Sequence, residues 1–199
     1  MNFLGHLLLS GNNHELMLTN LYGDYVKGSY KNKFPSCIVK GIKLHRDIDF
    51  FTDNHEEVKS LRLKLYKSLP RVAGIAIDIY FDHFLVKNWE QFQPKPLNRF
   101  LSEFYLEKDG IIKKIETQYD FKFHPHFLYL LNRLHKEKWI QEYINFNGLN
   151  FAFNGLSKRI TFNNDLDKAT PVLKENYDEI ERVFFSFIND AVEKFNIKC

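Results

Sequence analysis

The apolar positions of this chain recur at helical spacing along most of its length. The clearest case lies near the end, where Pro171 is followed by Val172, Leu173, Ile180, Val183, Phe184, Phe187 and Ile188, one amphipathic stripe with charged residues on the opposite face. Leu97, Phe100, Leu101 and Phe104 open a second run just after Pro94 and Pro96, which mark a short connection. Pro35 suits a first helical turn and predicts a helix through about Phe51. Asp53 or Asn54 then restarts a helix through about Tyr66, with Asp53-Asn54-His55-Glu56 reading as an N-cap and its acidic partner. Pro70 breaks that helix, and an apolar one follows to about Trp89. A further helix begins near Pro125 and carries Leu128, Leu131, Leu134 and Ile140. Between Asn145 and Phe153 aromatics alternate with asparagines, a pattern compatible with short strands. The whole predicts an all-α, single-domain helical bundle over residues 1–199, without internal repeats.

Polar residues interrupt the apolar runs at only a few places, and those places carry the chemistry. In Gly74-Ile75-Ala76-Ile77-Asp78-Ile79-Tyr80-Phe81-Asp82-His83-Phe84-Leu85, Asp78 and Asp82 fall four apart on one helix face, with His83 part of a turn further round. Two carboxylates on an otherwise apolar helix repel each other and resist burial, so the segment calls for cations opposite, and a divalent metal fits His and Asp ligands best. In Gly41-Ile42-Lys43-Leu44-His45-Arg46-Asp47-Ile48-Asp49, His45 and Asp49 have the same spacing and offer an imidazole and a carboxylate from one face. Arg46 beside them can fork onto a phosphate or an acid. His6 is the one polar side chain in Phe3-Leu4-Gly5-His6-Leu7-Leu8-Leu9, and Asp24 lies between Tyr22-Gly23 and Tyr25. Each of these has a bland alternative, a hydrogen-bonded core histidine or a solvated acid. Four separated segments that each set a His or Asp among apolar residues are what a metal centre built on helices requires.

Composition narrows the picture further. Twenty Phe and ten Tyr in 199 residues suit a packed core and argue against disorder. A formal charge of +3 gives no reason to expect a nucleic-acid partner, although local basic patches can still meet an acidic one. With only Cys37 and Cys199, no disulfide framework is expected, which points to a reducing, cytoplasmic setting. The apolar opening lacks a basic leader and soon meets Asn12, Asn13, His14 and Glu15, so it reads as neither a signal peptide nor a membrane span.

Several of these segments resemble one family closely: Met1-Asn2-Phe3-Leu4-Gly5-His6, Gly23-Asp24-Tyr25-Val26-Lys27-Gly28, the His45 block with Thr52-Asp53, Asp78 with Asp82-His83-Phe84-Leu85, and Asn154-Gly155-Leu156-Ser157-Lys158-Arg159. They are similar to the acyl carrier protein phosphodiesterases, which look like a divergent branch of the helical HD-type metal-dependent phosphohydrolases. Gly5 stands where that family usually has Ala, the doublet Asp82-His83 reverses the usual order, and Leu97 to Asn145 carries no motif that aligns. The resemblance implies hydrolysis of the phosphodiester that joins 4′-phosphopantetheine to a serine of holo acyl carrier protein, with Mn²⁺ or Mg²⁺ as the metal and Fe as an alternative. On this reading Asp24, His45, Asp82 and His83 are ligands, with His6 as a further one, while Asp78 or Asp49 orients the water or steadies a ligand imidazole. Arg46, Lys27 and Arg159 are candidates for the phosphate, and Lys40 and Lys43 join Lys27 in a basic surface for the acidic carrier protein. A phosphohydrolase acting on a nucleotide or other small phosphoester, and a non-catalytic helical binding protein, are the competing readings.

Overall fold

The computed structural model describes residues 2–197, which form eleven α-helices and no strand. In order they are α1 (Phe3–Leu8), α2 (His14–Leu21), α3 (Ser36–Asn54), α4 (Glu56–Leu65), α5 (Ala73–Lys87), α6 (Leu97–Tyr119), α7 (Pro125–Lys136), α8 (Trp139–Glu142), α9 (Phe146–Ser157), α10 (Ala169–Glu175) and α11 (Tyr177–Lys194). None is long and apolar enough to cross a membrane. The expected helices are present, with three boundaries moved. Asp53 does not cap α4: α3 runs on through Asn54, His55 turns the chain in an extended conformation, and the Asp53 carboxylate accepts from Arg62 at 2.8 Å. The C-terminal stripe divides at Asn176 into α10 and α11. Ile140 lies on α8, which is separated from α7 by Lys138 at positive φ.

The segment from Asn145 to Phe153 is helical, not stranded. Asn145 is an N-cap whose side chain accepts from the Gly148 amide at 2.8 Å, and Leu149 and Phe153, four apart, are the residues that bury. Asparagine at a cap thus decides a segment whose aromatic alternation looked strand-like. Cys199 lies outside the described residues.

The core is centred on α5, whose apolar residues are buried all round. Phe81 and Phe84 meet Phe184 and Phe187 of α11 at ring separations of 5.2–5.7 Å, and Tyr80 reaches Phe153 of α9 at 5.6 Å. Each such ring is worth about 1.5–3 kcal/mol of apolar burial, which is how α5 tolerates polar atoms within it. A second aromatic group surrounds Tyr22, whose ring contacts Phe34, Phe121, Phe123 and Phe127 at 5.0–6.5 Å. That group ties the 3₁₀ turn Tyr22–Tyr25 to the start of α7.

The two buried polar residues Asp82 and His83 of α5 serve packing. Asp82, fully buried, accepts from the backbone amides of Leu4 (2.9 Å) and Gly5 (3.1 Å), and so caps α1 across 77 to 78 positions of chain. The cap residue Asn2 makes no side-chain capping bond of its own, so Asp82 supplies acceptors for amides the helix leaves open. The buried His83 donates from Nδ1 to the Tyr143 carbonyl (2.7 Å) and accepts at Nε2 from the Tyr177 hydroxyl (2.8 Å). Burial holds it neutral, its pKa below the ordinary value.

Asp82→Ala leaves two buried amides without an acceptor, which costs about 1–3 kcal/mol per unsatisfied group. Thermal unfolding of this variant is expected to fall by several degrees, at about 2–4 °C per kcal/mol for a chain of this size. Burial outweighs the two amide bonds and pushes the Asp82 pKa up to about 7 from 3.8. The folded state therefore binds the proton more tightly than the unfolded one, and this group's contribution to stability falls as pH rises from about 4 to about 7. Over that window wild type is expected to lose stability relative to Asp82→Asn; parallel profiles would refute this.

Candidate metal centre

Four of the residues singled out in the sequence meet at the junction of α1, α2, α3 and the 3₁₀ turn. His45 Nε2 lies 3.2 Å from Asp24 Oδ1 and 3.2 Å from Asp49 Oδ2, and His6 Nε2 lies 3.3 Å from Asp49 Oδ1. Ligand atoms of His6, His45 and Asp49 all fall within 4.8 Å of one another. The two imidazoles stack at 4.2 Å and are buried, whereas Asp24 and Asp49 reach solvent. The cluster is therefore anchored on its inner side and open on its outer side.

Glycines permit this approach. A Cβ on Gly41 would come within 2.3 Å of the Thr19 backbone, so α2 and α3 pack at that point without a side chain between them. One turn along α3 from Gly41, His45 then lies beside Asn20. A Cβ on Gly23 would meet the His45 ring at 2.3 Å, so the turn that carries Asp24 can lie on that ring only with glycine there.

Asn20 was not anticipated from the sequence. Its Oδ1 accepts from His6 Nδ1 (3.0 Å) and from His45 Nδ1 (3.2 Å), while its amide nitrogen donates to the His6 carbonyl (3.1 Å) and to Ser10 Oγ (2.9 Å). The two donations fix which way the amide faces, and the two acceptances place a proton on each Nδ1. Both Nε2 atoms are thereby directed at the carboxylates, the disposition that an outer hydrogen bond gives metal-binding histidines. The available signal was Asn20 itself, a polar residue in the apolar stretch Leu16 to Leu21, the same kind of interruption that marked His6.

The charges are matched inside the cluster. Burial pulls the His45 pKa down, but the Asp24 and Asp49 carboxylates outweigh it and raise the value to about 9. Burial likewise opposes ionisation of Asp49 and Asp24, yet the hydrogen bonds and charge of His45 hold both below the ordinary carboxylate value. Burial keeps His6 neutral. A proton on His45 Nε2 thus occupies the space between the carboxylates. Three donor pairs, His45 with Asp24, His45 with Asp49 and His6 with Asp49, are separated by 3.2–3.3 Å, which matches the edge of a coordination shell, since bonds of about 2.0–2.2 Å at cis or tetrahedral angles set donors roughly 3.0–3.5 Å apart. His6, His45 and Asp49 are the mutually close set, and Asp24 joins it through His45.

The remaining candidates lie elsewhere. Asp82 and His83 were expected among the ligands; the structure spends both Asp82 oxygens on α1 and both His83 nitrogens on Tyr143 and Tyr177. Asp78, half-buried one turn before Asp82, adds its charge to what raises the Asp82 pKa. Arg46 was expected at the phosphate; its Nη2 instead donates to the carbonyls of Val26 (3.0 Å) and Gly28 (2.8 Å), with Tyr30 beneath its guanidinium, and so pins the loop after Asp24. Lys27 and Lys40 are exposed, and Lys43 pairs with Asp47. Arg159 is exposed on the rim of a cavity beside α9.

The family model for acyl carrier protein phosphodiesterase matches residues 1–191. A relative of that name from Escherichia coli O6:K15:H31 (strain 536 / UPEC) is 32% identical over 200 residues, covering 100% of both chains. Relatives of the same name from Shigella boydii serotype 18 and Salmonella agona are each 32% identical over 188 residues, 94% of this chain and 93% of theirs. No solved structure matches the chain. The match runs through all four segments that form the cluster and on into α11, and the chain belongs to the acyl carrier protein phosphodiesterase family.

Proposed function

We propose that this protein is a metal-dependent phosphodiesterase that hydrolyses 4′-phosphopantetheine from the serine of holo acyl carrier protein, giving the apo form. The observation that carries the reading is the cluster of His6, Asp24, His45 and Asp49, with both imidazoles oriented by Asn20. Its mixed nitrogen and oxygen donors suit Mn²⁺ or Fe²⁺ better than Mg²⁺, which prefers an all-oxygen shell. An ion held there lowers the pKa of a water and offsets charge on the phosphoryl oxygens. The chain supplies the rest. Asn20 keeps both Nε2 atoms facing inward, the solvent-facing Asp24 and Asp49 leave the outer side of the cluster open to a large substrate, and Arg159 offers a guanidinium to the phosphate.

Mass spectrometry of holo acyl carrier protein incubated with this protein and Mn²⁺ is expected to show loss of the phosphopantetheine mass. Asp24→Ala and His45→Ala should each abolish that loss while leaving helical circular dichroism nearly unchanged, because Asp24 reaches solvent and the loss of the one buried His45 ring need not unfold a helical core of this size. Hydrolysis of a nucleotide panel with no attack on the carrier protein would refute the reading.

Metal binding must displace the His45 proton, so it should release about one proton per ion at neutral pH. Apparent Mn²⁺ affinity is expected to rise by about tenfold per pH unit and to level off as pH approaches the His45 value near 9. Calorimetry in two buffers of different ionisation enthalpy reads the proton directly. Asn20→Leu should weaken Mn²⁺ binding by about 10–100-fold, the usual cost of losing an outer hydrogen bond to a ligand histidine.

The exposed Lys27, three residues from Asp24, and Lys40 suit encounter with an acidic carrier protein. Catalytic efficiency on holo acyl carrier protein should fall as salt rises, since such steering is screened over about 10 Å at 0.1 M ionic strength. Charge reversal at Lys27 or Lys40 should lower it further, with far less effect on a small phosphodiester. Equal losses on both substrates would remove these lysines from the docking surface.

A further inference from the structure

A cavity of about 610 Å³ has walls from both halves of the chain. Phe3 and Ile79 line it from α1 and α5, and Trp139, Phe151 and Leu156 from α8 and α9. Asn2, Asn147, Glu142 and Arg159 add polar and charged groups to this lining, and Arg133 and Glu137, paired with each other at 2.7 Å, complete it. Phe3 joins the cavity to the cluster, since it lies one turn before His6 on α1.

The segment Asn154-Gly155-Leu156-Ser157-Lys158-Arg159, singled out in the sequence, also falls here: Gly155, Leu156 and Arg159 all line the cavity, and none belongs to the donor set. Gly155 is exposed and a Cβ there would meet no atom within 4 Å, so a larger side chain can be introduced at this edge of the cavity without a clash.

We propose that the cavity binds the pantetheine arm of the substrate, with Arg159 where the arm joins the phosphodiester; this rests on the reaction proposed above. Pantetheine alternates apolar parts, a geminal dimethyl group and methylenes, with two amides. The aromatic and aliphatic walls suit the former, and the carboxamides of Asn2 and Asn147 suit the latter. The volume lies within the range of small-molecule sites, and apolar walls combined with placed polar groups are their usual composition.

The test titrates metal-free protein with pantetheine, which lacks the phosphate, and follows tryptophan fluorescence. Trp139 lines the cavity, whereas Trp89 is buried against Phe100 of α6. A saturable change is expected in wild type and should be absent in Trp139→Phe. Gly155→Leu should weaken pantetheine binding and raise KM for holo acyl carrier protein by about tenfold or more, the scale of a filled apolar subsite, with kcat much less affected. No fluorescence response in wild type, or a Gly155→Leu protein that binds pantetheine and holo acyl carrier protein as tightly as its parent, would overturn the assignment. Saturable pantetheine binding in a protein that never cleaves holo acyl carrier protein would support the cavity and sink the reaction, so the two failures are distinct.

Discussion

The buried carboxylate of Asp82 is the constraint on which the candidate site depends. An isolated charge in a core of Phe81, Phe84 and Tyr80 is costly, and the cost falls only if its oxygens find donors. The donors are the first free amides of α1, a helix of six residues that has little stability of its own. Each group thus offsets part of the other's penalty, and the exchange fixes where α1 begins. Because His6 follows Gly5 directly, fixing that start also fixes one imidazole of the cluster.

A similar logic governs Asn20. Four groups that each prefer water are drawn together at the meeting of three helices and a turn, two of them histidines in stacked contact. Like-charged imidazolium rings would repel at 4.2 Å, so burial keeps His6 neutral and leaves one proton, on His45, shared with the carboxylates. The amide of Asn20 permits this division because its oxygen accepts from both rings and its nitrogen is committed to α1. An aspartate at that position would bring a third negative charge, and a leucine would leave both Nδ1 protons without an acceptor.

Much of this was legible in the sequence because apolar runs make every polar interruption conspicuous. His6, Asp24, His45 and Asp49 were found that way, and the four-residue spacing of His45 and Asp49 does place both on one face of α3. The same reasoning put Asp82 and His83 in the metal set because a buried acid needs a positive partner, and sequence spacing does not distinguish a cation from a helix N-terminus. Capping by a residue some 77 positions away leaves no local trace. Asn20 and the contact roles of Gly23 and Gly41 were missed for a related reason, since each depends on what another segment brings alongside. Boundaries failed where a local signal competed with packing: Asp53-Asn54-His55-Glu56 has the letters of a cap, but α3 gains more by continuing to Asn54.

The stretch from Leu97 to Asn145 carried no motif, and its place in the fold explains why. Its contribution is made through rings and walls, not through donors: Phe121, Phe123 and Phe127 enclose Tyr22 and so hold the turn that bears Asp24, while Trp139 and Tyr143 line the cavity beside α9. Such roles set shape and volume, which many combinations of aromatic and aliphatic residues satisfy, so they do not constrain letters the way a ligand histidine does. Candidate donors from the first 49 residues and cavity walls drawn mostly from α5 onward therefore pose two kinds of requirement. Only the first kind is written in the sequence as a spacing; the second becomes visible when α1, which carries both Phe3 and His6, is seen to belong to each.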